Sequence, residues 1–130
     1  MEKRSMTTET LATPPTEKNG VIQSAIEANK RNLIRIALHF GKHVQHEKFI
    51  EEMAELMVEI KHMYKGFQDD APTTSGFIEE LADVIIVAEQ VKFLLNSHES
   101  YCLASSINKK IDRTMKRIEQ EKRNVRTQTQ

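Results

Sequence analysis

Two pairs of carboxylates combine residue type and spacing in a way that suggests chemistry. Glu52 and Glu55 lie three residues apart, and so do Glu80 and Asp83. On a helix such residues emerge on one face about one turn from each other, so each pair presents two carboxylates together. If the pairs meet, four carboxylates converge, and such a cluster does not stay ionised without cations. All-oxygen donors suit hard divalent ions, Mg2+ or Mn2+. Mg2+ keeps several waters and usually binds substrate phosphates as well, so the chemistry implied is hydrolysis of a phosphoanhydride. A plainer reading stands beside it. Acidic residues in a first helical turn complement the helix dipole, which accounts well for Glu79 and Glu80 and less well for Asp83.

The elements that carry these pairs read as helices. Residues 77–95, FIEELADVIIVAEQVKFLL, are the most apolar stretch, with apolar side chains on almost every side of a helix. A helix of that kind belongs in the centre of a bundle, so carboxylates on it are costly unless something pairs with them. A helix is predicted over residues 45–65, where Phe49, Ile50, Met53, Leu56, Met57, Ile60 and Met63 cover one arc of roughly 140°. Glu52, Glu55 and Glu59 lie just beside that arc, at the edge of the expected buried face. Glu51 lies further round, towards solvent or a partner subunit. An earlier helix is expected over 21–40, from Ile22, Ile26, Leu33, Ile36, Ala37 and Phe40, with Gly41 as its stop. Residues 66–76, GFQDDAPTTSG, form a loop, with Thr74 or Ser75 available to cap the next helix. A last helix over 100–122 has an apolar stripe of Leu103, Ile107, Ile111, Met115 and Ile118, and carries Lys109, Lys110, Arg113, Lys116 and Arg117 on its other side. A short loop makes the second and third helices antiparallel neighbours. Because each carboxylate pair lies in the N-terminal half of its expected helix, the register that would join them is not fixed by these boundaries.

Composition sets the outer limits. The 130 residues suffice for one domain with one core, and no alternating strand pattern is present, so the class expected is all-α. The expected division is a disordered tail over 1–20, an all-α domain over 21–122 and a frayed end over 123–130. The formal net charge is 0, which makes no case for nucleic acid or an acidic membrane as partner. The distribution is uneven. Residues 47–89 hold 11 acidic against 3 basic side chains, and residues 109–126 hold 8 basic against 3 acidic. An acidic centre beside a basic last helix could hold a metal and an anion together; two solvated faces attracting one another is the simpler account. The single cysteine, Cys102, has no local motif and reads as a small packing residue, and one thiol fits a reducing compartment. With no apolar leader and no run of membrane-spanning length, the expected location is the cytoplasm.

Two other metal patterns are weaker. His39, His43 and His46 have spacings of four and three, but Gly41 interrupts the helix that would align them. Glu59 and His62 make one half of a di-iron carboxylate motif, and the later helices lack the second half.

With these residues in view, the chain resembles the all-α nucleoside triphosphate pyrophosphohydrolases of the MazG type. That family carries E-E-x-x-E, a spacer, then E-x-x-D. Here the motif reads Glu51-Glu52-Met53-Ala54-Glu55 and Glu80-Leu81-Ala82-Asp83, framed by FIEEMAELMVEI and IEELADVIIVAEQ, and KIDRTMKRIEQE resembles the closing helix of small, phage-type members. The resemblance covers residues 33–121 and implies a four-helix bundle-like fold that assembles as a homodimer or homotetramer, with sites completed across subunits. It implies Mg2+ (or Mn2+) held by Glu52, Glu55, Glu80 and Asp83. Glu51 would be the remaining motif carboxylate, with catalytic work falling to Glu51, Glu52 and Glu55. It implies triphosphate contacts from Lys110, Arg113 and Arg117, and a base contact from Gln45. The reaction implied is a nucleoside triphosphate plus water giving the monophosphate and pyrophosphate, a form of nucleotide-pool house-cleaning. Phosphoribosyl-ATP pyrophosphohydrolase shares the signature and stays open, as does a non-enzymatic helical interaction module.

Overall fold

The computed structural model describes residues 15–65 and 75–129. Every element among them is helical, so the all-α class holds. In chain order they are α1 (Pro15–Ala28), α2 (Lys30–Lys65), α3 (Ser75–Phe93) and α4 (Ser97–Gln128). Residues 1–14 and the greater part of the expected loop, 66–74, lie outside the described residues, and Thr74 with them.

Boundaries shift from expectation for local reasons. The first helix starts at Pro15, earlier than residue 21, and proline suits a first helical position because the N–H it lacks is unpaired there in any case. Asn29 separates α1 from α2, its side-chain amide donating to the Ala25 carbonyl at 2.9 Å. Gly41 does break the helix, with φ 82° and ψ 172°, a conformation that glycine alone adopts readily. Helical structure resumes at once after it, so α2 is two helical segments, 30–40 and 42–65, that meet at a break, and the expected stop at Gly41 holds. At the far end α4 continues to Gln128, past the fraying expected from residue 123.

The helix pair itself supplies the register. Glu52 and Glu55 sit at the middle of the segment 42–65, and Glu80 and Asp83 sit in the N-terminal half of α3. An antiparallel pair of this kind brings them level. Gln45, Lys48, Glu52, Glu55 and Glu59 recur along α2 at alternating steps of three and four; Gln90, Val87, Asp83, Glu80 and Gly76 run back along α3 at the same steps. Contacts confirm the alignment at its two ends. Gln45 lines one cleft with Gln90, and a Cβ on Gly76 would collide with the Glu59 carboxylate. That step is the period of a coiled-coil seam. Half-buried Phe49, Leu56, Ile60 and Met63 of α2 and Phe77, Leu81 and Val84 of α3 flank these polar positions.

The apolar arc of α2 is covered only in part, with Phe49, Leu56, Ile60 and Met63 half-buried. Ile50, Met53 and Met57 are exposed, and among the described residues the buried apolar side chains are Ala37 and Val87 alone. The last helix is less covered still. Asn96 caps it in a reciprocal pair with Glu99, the Glu99 amide donating to Asn96 Oδ1 at 2.8 Å and the Asn96 amide to Glu99 Oε2 at 3.0 Å. Beyond that cap α4 touches the other helices only marginally and buries no residue. At 1.5 Å per residue it is roughly 48 Å long. No helix among the described residues is long and apolar enough to cross a membrane.

Candidate metal centre

The seam places Glu52, Glu80 and Asp83 together. One carboxylate oxygen from each lies within 4.8 Å of the others. Glu52 is buried at 4% exposure, Glu80 is half-buried and Asp83 is exposed, so the cluster is closed on the α2 side and open towards solvent at Asp83. Glu55, the fourth expected ligand, is exposed and neighbours Glu80 along the seam, where the two side chains hydrogen-bond. It stands beside the three-carboxylate group rather than in it.

Electrostatics show the strain of this arrangement. The Glu80 carboxyl is pushed above the ordinary carboxylate range, first by loss of solvent and then by the charge and hydrogen bond of Glu55, with Asp83 and Glu52 adding to it. Its Oε2 is buried with no hydrogen-bond partner. The one cation at the cluster is Lys48, one turn before Glu52. Its ammonium pairs with Glu52 and also reaches Glu51 Oε1 at 3.3 Å. These partners raise the Lys48 pKa, the Glu52 hydrogen bond most of all.

A cleft of about 270 Å³ runs from the cluster towards the Gly41 kink. Ile36, Phe40 and Ile86 form apolar wall; Gln45, Lys48 and Gln90 bring polar groups to it. Gln45 and Gln90 are each only 3% exposed, and Gln45 Oε1 is buried without a partner. Gln45 was picked out from the sequence; Gln90 was not. Its signal was present in its position on the three-four seam of α3, opposite Gln45, but that seam becomes visible only once the register is known.

Other sequence candidates fall elsewhere. Glu51 is exposed and held by Lys48. Lys110, Arg113 and Arg117 are exposed on α4, and no hydrogen bond or ion pair joins them to the carboxylates among the described residues. His43 pairs with Glu47 at 3.3 Å and His39 packs edge-on against Phe40 at 4.8 Å. The histidines do not form a metal-ligating group; Glu52, Glu80 and Asp83 are the one such group among the described residues.

Fold and site together define an all-helical chain with an acidic cluster at the mouth of an apolar-walled cleft. Compared with protein-family models, with curated proteins and with solved structures, the chain matches none of them.

Proposed function

We propose that the chain is a Mg2+-dependent nucleoside triphosphate pyrophosphohydrolase that works as a homodimer or homotetramer. The observation carrying this reading is the meeting of Glu52, Glu80 and Asp83 within 4.8 Å beside a cleft that contains an unpaired, buried amide oxygen. The donors are all oxygen, one of them is a buried orphan on Glu80, and their mutual repulsion is only partly met by Lys48. That set fits Mg2+ or Mn2+. Glu52, Glu80 and Asp83 would hold the ion, with Glu55 alongside. A bound divalent cation supplies charge neutralisation for the phosphates and for a leaving pyrophosphate.

The chain's own groups take the remaining tasks. Gln45 and Gln90 offer amide donors and acceptors to a nucleobase, and Phe40, Ile36 and Ile86 offer it apolar walls. Glu55, exposed and next to the cluster, accepts a proton from the attacking water. The water oxygen bonds to the α-phosphorus, the bond to the bridging oxygen of pyrophosphate breaks, and monophosphate and pyrophosphate leave. Glu51 orients groups from outside the cluster.

Exposed apolar surface supports the oligomer. Ile50 and Met57 on α2 and Ile107, Ile111 and Met115 on α4 are each between 47% and 65% exposed. Unpaired apolar faces on this scale mark interaction surfaces. A second copy covers them. Lys110, Arg113 and Arg117, on the side of α4 away from the stripe, are left to meet a phosphate. The same exposed faces also favour the second reading, an interaction module with inert carboxylates.

One incubation separates the two readings. The purified chain is given Mg2+ and a panel of ribo- and deoxynucleoside triphosphates, beside Glu52→Gln. Monophosphate plus pyrophosphate, lost in the variant, supports the enzyme. Diphosphate plus phosphate shows that a different bond is cut. No turnover, with no effect of Mg2+ on melting, leaves the interaction module.

A further inference from the structure

Lys48 is the cation of the carboxylate cluster. It lies at the exposed edge of α2, one turn before Glu52, and lines the cleft with Gln45, Val87 and Gln90. The side chain is 46% exposed, whereas the Glu52 carboxylate it pairs with is 5% exposed. The ammonium thus engages the most buried ligand of the cluster. Glu51 holds the same ammonium at 3.3 Å from further out.

From this geometry we infer that Lys48 is a tethered counter-ion which occupies the carboxylate cluster until a divalent cation displaces it. The inference rests on the metal reading given above. Glu52 Oε1 is engaged by Lys48 Nζ, and a cation held by Glu52, Glu80 and Asp83 needs that carboxylate. An ammonium and a divalent ion a few ångströms apart on one carboxylate repel each other. Lysine is the side chain suited to yield, being a point charge on a flexible four-carbon stem with no fixed bidentate geometry to lose. A half-exposed ion pair is also weak, so its loss is a small term against the ligation gained. The freed ammonium stays on the wall of the cleft, which it already lines with Gln45 and Gln90. Before a metal binds, the cluster would in this way be held partly neutral, which lessens the repulsion among its carboxylates.

Two measurements on the full chain test this. In the first, Mn2+ and Mg2+ are titrated calorimetrically into wild type, Lys48→Met, Lys48→Arg and Glu52→Gln, with helix content checked by circular dichroism. Removing the competitor is expected to tighten metal binding about fivefold in Lys48→Met. Lys48→Arg, which keeps a cation there, stays near wild type. Equal or weaker binding by Lys48→Met overturns the inference while leaving the metal site standing. Absence of binding in wild type and Lys48→Met alike overturns the metal reading and this inference with it. The second measurement needs no variant. Acetylation by acetic anhydride is followed lysine by lysine by peptide mass spectrometry, with and without saturating Mn2+. Lys48 is expected to react several-fold faster with metal. Lys92, paired with Glu89 at 2.7 Å far from the cluster, serves as the unchanged reference. A Lys48 rate that does not rise shows that the ion pair survives metal binding, and the inference fails.

Discussion

Two long surfaces of this molecule repeat at steps of three and four residues, and they depart from the usual use of that repeat in opposite directions. The α2–α3 seam is paired, yet beside Phe49, Leu56, Val84 and Val87 it carries Gln45, Glu52, Glu80 and Gln90, with Lys48, Glu55 and Asp83 at its exposed edge. The stripe on α4 is apolar, with Leu103, Ile107, Ile111, Met115 and Ile118, yet it is unpaired. A helix pair is normally held by an apolar seam and shows polar residues to water. Here carboxylates share the packed face with apolar groups, and further apolar groups lie outside. The difference teaches what each surface is for. Carboxylates crowded around a single ammonium mark a site for a ligand of opposite sign, and exposed apolar length marks a site for another chain.

The strongest way to break that comparison is to neutralise the seam. Glu52→Gln and Asp83→Asn should each lower turnover by more than about 100-fold, since even groups outside the ligand shell of a metal are worth up to that factor. Helix content by circular dichroism should be unchanged, because the helices are not held together by these charges. A variant that keeps its activity would mean the cluster is an accident of register.

The second prediction tests the other surface. Ile111 is 59% exposed on the chain alone. If a second copy covers it, Ile111→Asp removes roughly 1.5–3 kcal/mol of apolar burial and adds an unpaired charge. Light scattering should then show a multiple of 15.0 kDa for wild type and 15.0 kDa for the variant. If the stripe faces only water, stability changes by less than about 0.5 kcal/mol and mass does not change.

A third prediction concerns the break within α2. Gly41 has φ 82°, and a Cβ there would meet nothing within 4 Å, so any cost of Gly41→Ala is a backbone cost. It should be about 1–3 kcal/mol in chemical denaturation. A variant as stable as wild type would show that α2 straightens without penalty, and the cleft walls at Ile36 and Phe40 would then move away from Gln45.

These particulars show what the sequence disclosed and where it stopped. The helical class and the four carboxylates were legible because spacing alone carries them. The meeting of the pairs was not. Gly41 reads as a stop, and a glycine with positive φ can end a helix or bend one; the residues after it decide. The stop at Gly41 holds, and the register stayed hidden because it depends on where α3 packs along the segment after the break. The apolar arc was legible only in part. Phe49, Ile50 and Met53 define the apolar arc of α2, and the usual assumption turns such an arc inward. In this chain Phe49, Leu56, Ile60 and Met63 are half-buried, while Ile50 is left 65% exposed. Gln90 stayed unnoticed because a glutamine in an apolar helix acquires meaning only from what lies opposite. The basic side of α4 was visible, but a single chain gives it no acidic partner.

The smallest effect is the most direct probe of the seam. Glu80 has its carboxyl raised above the ordinary value of 4.5 by desolvation, by Glu55, and then by Asp83 and Glu52. For an acid this means the folded chain holds the proton more tightly than the unfolded chain does. Between 4.5 and the raised value the folded state binds more protons, so stability falls as pH rises through that window and stays at its lower level above it. At pH 7 without metal, Glu80→Gln should therefore melt at a higher temperature than wild type. Below pH 4.5 the two should converge, because Glu80 is then protonated in both states. Saturating Mg2+ should invert the order at pH 7, since the ionised carboxylate then gains a cation that the amide holds poorly. Melting curves for the two chains at both pH values, with and without Mg2+, give the answer. An amide that is neutral or destabilising without metal would show that the carboxylates of the seam are content as they stand, and the contrast with α4 would lose its meaning.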